Sequence, residues 1–104
     1  DQRQGQFLSL NYGHLVEAYT ALGAVKQARN WAAKALWRAR EGDGYGLAVT
    51  HRALAELTVQ GQWPRGAQHY LAAAQRSAKL RDSPREMSLI EDCARRLGVP
   101  LQAT

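Results

Sequence analysis

Two glycines 38 residues apart, Gly23 and Gly61, each close a run of apolar residues at helical spacing, and the same shift superposes their surroundings. It carries Tyr19 onto Leu57, Ala28 onto Gly66, Ala32 onto Tyr70 and Ala35 onto Ala73, and Gly98 follows Gly61 by 37 residues. A chain that repeats one helical hairpin at this interval can fold only by stacking the hairpins. Each unit alone leaves an apolar face that only a neighbour can cover.

Ala and Leu are abundant and β-branched residues sparse, which favours helix over strand throughout. Five helices are predicted. The first spans about Gln6 to Leu22 and stops at Gly23; the second spans Val25 to Arg40 and stops at the turn Glu41-Gly42-Asp43-Gly44. The third covers Tyr45 to Gln60. The fourth, from Trp63 to Leu80, takes Pro64 in its first turn, where a missing N–H costs nothing. The fifth begins with a capping box at Ser83-Pro84-Arg85-Glu86, in which the serine hydroxyl accepts from the Glu86 N–H and the carboxylate reaches back to the Ser83 N–H. It ends at Gly98, and Pro100 keeps it from resuming. Links this short make sequential helices antiparallel. The expected organisation is one all-α domain over 1–104, with repeat 1 at about 6–41, repeat 2 at about 44–81 and a terminal helix at about 83–97 whose hairpin partner is absent.

At 104 residues two independent domains do not fit, and no apolar run approaches the roughly 18 residues that cross a bilayer. The chain opens at Asp1 without a leader pattern and is expected to be a piece of a longer protein. Cys93 is the only cysteine, so a disulfide within the chain is excluded and a reducing, cytoplasmic setting is expected.

The residues at the repeat positions resemble the tetratricopeptide repeat. Tyr12, Leu15 and Tyr19 stand in the large, Leu and Tyr positions of its first helix, Gly23 closes that helix, and Ala28 and Ala35 fill the small positions of its second. In the second unit Gly61, Trp63, Gly66, Tyr70 and Ala73 match. The sequence departs from the pattern at Val16, where the family prefers Gly, at Ala32, where it prefers an aromatic, and at Ala53, Leu54 and Leu57, which replace the Leu-Gly-Tyr set. The interval exceeds the family's usual 34 residues, as in its longer variants found in signalling scaffolds and in large bacterial regulators; HEAT-type repeats have a similar period and are the alternative architecture. The resemblance implies a right-handed superhelix of stacked hairpins that binds protein or peptide partners.

By that resemblance the first helix of each hairpin lines the binding groove. A helical wheel then puts Glu17 and Thr20, then His51, Ala55 and Thr58, then Ser88, Asp92 and Arg95 on the groove side. The clamp for a C-terminal carboxylate seen in chaperone-binding relatives is absent, since Gly13 and Glu17 hold the matching positions. Trp37 lies about 160° from the apolar stripe Val25, Ala28, Ala32, Ala35, Leu36 and Ala39 at 100° per residue, beside Lys26, Asn30 and Lys34. It is a candidate anchor for a partner or for a second copy of the chain. Trp31 and Trp63 are expected in the core.

No catalytic, cofactor or metal residues are assigned. His14, His51 and His69 fall on three helices without HExxH spacing, and no phosphate-cradling loop or nucleophile elbow occurs. Cys93, among Ile90, Ala94 and Leu97, is expected as a small buried hydrophobe. The 14 basic and nine acidic residues give a net charge of +5; the basic ones cluster toward the second helices and the C-terminal third but, spread over several faces, are read as solvated surface, and Arg52 and Glu56 are read as an i,i+4 surface pair. The expected function is a non-enzymatic protein–protein interaction scaffold. The alternatives are a regulatory or oligomerisation segment of a transcription activator or signalling ATPase and, with least support, a basic nucleic-acid-binding domain.

Overall fold

The computed structural model describes residues 8–61 and 64–101, and all regular structure among them is helical. The helices are α1 (Leu8–Ala21), α2 (Val25–Arg40), α3 (Leu47–Gln60), α4 (Pro64–Leu80) and α5 (Pro84–Leu97). The expected starts at Gln6 and Trp63, and the core role of Trp63, fall outside the described residues.

Hairpin partners α1 and α2, and α3 and α4, pack most extensively, α1 also packs on α3, and α5 packs on both α3 and α4. The first helices α1, α3 and α5 thus form one layer and the second helices α2 and α4 the other. The middle helix α3 touches every other helix and buries eight of its 14 residues.

Each stripe that faces the core can be read from spacing. In α2 it is Ala28, Ala32 and Ala35; in α4 it is Ala67, Leu71, Ala74 and Ala78. Alanine dominates because a short side chain lets helix axes approach, so the larger residues of the facing helix supply the volume. One buried cluster joins Val16 of α1 to Ala28 and Ala32 of α2 and to Ala53, Leu54 and Leu57 of α3. A second joins Ala55 to the α4 stripe and to Ile90, Cys93 and Ala94 of α5. Tyr70 packs against both.

The close approach of α3 to α1 rests on two glycines outside the family's glycine position at Val16. Val16 is simply buried. It is Gly13 that sits against Val49 and Thr50, and Gly46 whose missing Cβ would collide with the Ser9 backbone. The same approach explains why α3 starts at Leu47 rather than Tyr45: residues 44–46 form a turn, closed by the Leu47 N–H on the Gly44 carbonyl, that brings Gly46 down onto α1.

The helix ends are built alike with one exception. Gly23 and Gly98 adopt left-handed φ of 73° and 68°, and the N–H groups of Ala24 and Val99 return to the Tyr19 and Ala94 carbonyls, which makes both ends Schellman motifs. Asp82 fills the corresponding place after α4 with φ of 51°, although it carries a Cβ. Gly61 ends α3 at φ −83° and makes no left-handed turn.

The capping box at Ser83 is half made. The Ser83 hydroxyl accepts from the Glu86 N–H at 3.2 Å, but the Ser83 N–H is taken by the Ala78 carbonyl, and the Glu86 carboxylate points to α3 instead. After Gly98 the chain turns back on α4. Val99 is buried in the second cluster and the Gln68 amide donates to the Pro100 carbonyl at 3.3 Å, so this tail covers part of what a further helix would cover.

Candidate functional site

Arg52 is buried in the layer of first helices. It donates to Glu17 of α1 at 2.6 Å and to Glu86 of α5 at 3.5 Å, tying three helices through one guanidinium. Glu56, one turn further along α3, accepts from Arg96 of α5 at 2.6 Å. The expected Arg52–Glu56 surface pair is therefore not formed: each residue reaches across to a neighbouring helix, because α3 lies between α1 and α5. Asp92 and Arg95 pair with each other on the exposed side of α5, and His14 stands 3.5 Å from Glu17. Most of the charges of this layer are paired within it.

The eight residues expected to face a partner do not form one surface. Thr20 is fully buried against the neighbouring helices, as is Ala55, so neither can meet a ligand. Ser88, Asp92 and Arg95 are exposed on α5, while Glu17 is half-buried and engaged by Arg52. His51 and Thr58 lie on the other side of α3. The His51 ring stacks on Tyr70 of α4 at 6.1 Å between centroids, and His69 meets the same ring edge-on at 5.8 Å. The α3 residues that carry the charges of the first-helix layer are the buried Arg52 and the partly exposed Glu56, one residue round from the expected His51 and Ala55, a rotation of about 100°. Trp37 is exposed, as its wheel position requires, with Arg40 stacked over its ring at 5.7 Å. Trp31 is half-buried against Tyr12 at 5.3 Å, under the ammonium group of Lys34.

On the second-helix side, a furrow opens between α2 and α4 with α3 as its floor. It holds a hollow of about 370 Å³ lined by Arg29, Ala33 and Leu36 from α2, Leu54 and Thr58 from α3, and Tyr70 from α4, among others. A second, separate hollow lies between α3 and the end of α4, lined by Leu47, Ser77, Leu80 and Arg81. Leu47, His51, Leu54 and Thr58 follow one another at i, i+4, i+7 and i+11, so one face of α3 underlies both hollows. Burial drives the His51 imidazole below its usual pKa against a raising contact with the Leu47 backbone, and Arg76 and His69 push it further down.

The charges are segregated by layer: the clustering of basic residues toward the second helices, read from the sequence, goes with a complete lack of acidic ones there, which that reading did not draw. Helices α2 and α4 carry five and three of the 14 basic residues and none of the nine acidic ones. Lys26, Arg29, Lys34, Arg40, Arg65, Arg76 and Lys79 among them are exposed. The signal was present in the sequence as two acid-free helices one repeat apart.

Cys93 is fully buried, and burial raises its thiol pKa, with Glu56 adding to the shift. Such a thiol stays protonated and is a poor nucleophile. Among the described residues no group of three His, Cys, Asp or Glu is arranged to hold a metal ion, and no helix is long and apolar enough to cross a membrane.

The fold defines an all-helical stack of hairpins with one ion-paired layer and one basic, furrowed layer. Comparison with family models, with curated proteins and with solved structures finds no match for this chain.

Proposed function

We propose that the chain is a protein-binding helical-repeat module of the tetratricopeptide kind, without catalytic activity, working as part of a larger regulatory or signalling protein in the cytoplasm. The observation that carries this reading is the furrow between α2 and α4, in which exposed Ala33 and half-buried Leu36 and Tyr70 stand beside exposed cations, above the buried Leu54 and Leu57. Open apolar surface of this kind costs stability unless something covers it in use. The first-helix layer is the poorer candidate, because its carboxylates are already satisfied by Arg52 and Arg96.

The reading is tested by selecting binders from a displayed library of helical peptides unbiased in charge, then repeating the binding with Ala33→Trp, which fills the furrow from an exposed position of α2. Selected peptides are expected to lose the variant and to keep Glu91→Lys on α5. Peptides that lose Glu91→Lys instead, or no selectable peptide at all, would overturn it.

A second reading, self-association, is favoured by the exposure of Trp37 at 60 % and Leu80 at 87 %. Sedimentation of the wild type and of Trp37→Ala decides it: a dimer dissociated by the substitution supports it, and a monomer at all concentrations removes it.

A further inference from the structure

The furrow has a chemistry that selects among protein partners. We infer that it accepts an acidic amphipathic helix of about three turns. This rests on the protein-binding reading above and adds the class of partner.

The length comes from the floor. Leu47 and Thr58 stand eleven positions apart on α3, roughly 16 Å at 1.5 Å per residue, which matches three turns of a helix laid along it. The apolar surface open to an occupant comes from half-buried Leu47 on α3 and from Ala33, Leu36 and Tyr70 on the walls, with Leu54 and Leu57 buried beneath, so an occupant needs apolar side chains at i, i+3, i+4 and i+7 on the face that enters.

The charge comes from the walls. Arg29 borders the first hollow and Arg81, just past the end of α4 and next to Asp82, borders the second, and the charged side chains of both flanking helices are all basic. Neither α2 nor α4 offers a carboxylate to neutralise them, whereas the acidic residues of α1, α3 and α5 are largely spent on Arg52, Arg95 and Arg96. An occupant with acidic residues flanking its apolar stripe completes both the apolar and the electrostatic match, and a basic one is repelled at both ends. A second copy of the chain presenting this layer repels it for the same reason. A nucleic-acid strand would satisfy the cations but give Ala33 and Leu36 no apolar partner.

The test is fluorescence anisotropy at low salt with four labelled probes: a 15-residue helical peptide with leucines at i, i+3, i+4 and i+7 flanked by glutamates, its lysine-for-glutamate form, its serine-for-leucine form, and single-stranded oligothymidine. The glutamate–leucine peptide is expected to bind saturably, to weaken as salt rises, and to lose at least tenfold in affinity with Arg29→Glu and with Ala33→Trp, each checked for an unchanged helical spectrum. The lysine and serine peptides are expected to bind at least tenfold more weakly. Equal binding by the serine form would reduce the site to non-specific charge attraction. Displacement of the peptide by oligothymidine would reassign it to nucleic acid. Library peptides that lose Ala33→Trp but carry no acidic bias would leave the protein-binding reading standing and overturn the acidic helix.

Discussion

Asp43 accepts two hydrogen bonds from Ser9, one from its backbone N–H at 3.0 Å and one from its hydroxyl at 2.7 Å. The turn after the first hairpin thereby caps the helix that begins it. The Ser9 oxygen in turn accepts from the Gly46 N–H at 2.9 Å, so one buried knot fixes the start of α1, the turn and the entry to α3. A carboxylate at a helix N-terminus also meets the positive end of the peptide dipoles.

Asp43→Ala is expected to cost about 2 kcal/mol, since it removes a cap and leaves buried donors at Ser9 unpaired. Urea denaturation measures it. Burial pushes the Asp43 carboxyl up, but the Ser9 N–H and hydroxyl, the Tyr45 N–H and Arg38 outweigh it and leave the pKa below the usual 3.8. A depressed carboxylate contributes stability that is full above its unfolded pKa and lost as pH falls through the folded one. The difference between wild type and Asp43→Ala should therefore be constant at neutral pH and shrink below about pH 4. An undiminished difference in acid would show that Asp43 acts by packing alone.

Arg52 holds α1 and α5 to α3 through Glu17 and Glu86, and its side chain is about 90 % buried while both partners are partly exposed. Arg52→Leu keeps the apolar stem but leaves two carboxylates without their shared cation. The expected loss is about 2 kcal/mol, below the range for fully buried pairs because water reaches the acids. The triple variant with Glu17→Gln and Glu86→Gln should recover most of it. Failure to recover would mean that the guanidinium contributes by filling space.

The helices and their stripes were legible because they depend on local spacing. Gly23, Gly98 and the Ser83 cap act within a few residues of themselves, and the sequence shows them directly. The partner surface was not legible, since a wheel drawn for one helix carries no information about which neighbour lies on which side. Arg52 illustrates this. Its i+4 neighbour Glu56 looks like its partner, but its real partners stand 35 residues before it and 34 after, about one repeat away. Ser9 with Asp43, and Glu56 with Arg96, are separated by 34 and 40 residues. Complementary residues one period apart are the signal that would have found these contacts. Thr20 misled for the same reason: a polar residue on a wheel looks solvent-facing until α3 is laid over it.

Asp82 is the only non-glycine residue with positive φ among those described, and it ends α4 where Gly23 and Gly98 end α1 and α5. A Cβ in the left-handed region costs about 1 kcal/mol. Asp82→Gly should therefore stabilise the chain by at most about 0.5 kcal/mol after the extra flexibility of the unfolded glycine is counted. The gain should appear as a higher urea midpoint with an unchanged slope. A loss would show that the Asp82 side chain makes a contribution larger than its backbone strain.

His51 couples the furrow to pH. Burial, Arg76 and His69 all disfavour its protonated form, and the result is a pKa below the usual 6.5 despite the opposing Leu47 backbone contact. The unfolded chain then binds a proton that the folded chain refuses, so stability rises with pH across that interval and falls as pH drops below about 6.5. Full stability is present above the unfolded pKa, and the loss ends once pH passes below the folded one. His51→Gln should flatten this dependence, and thermal unfolding between pH 5 and 8 measures it. If the furrow binds as inferred, an occupied floor covers the half-buried His51 further, and peptide affinity should also fall on acidification in the wild type but not in the glutamine variant. Identical pH profiles for the two proteins would mean that His51 already titrates freely beside Tyr70, and the stacked ring would then have no part in coupling the furrow to protons.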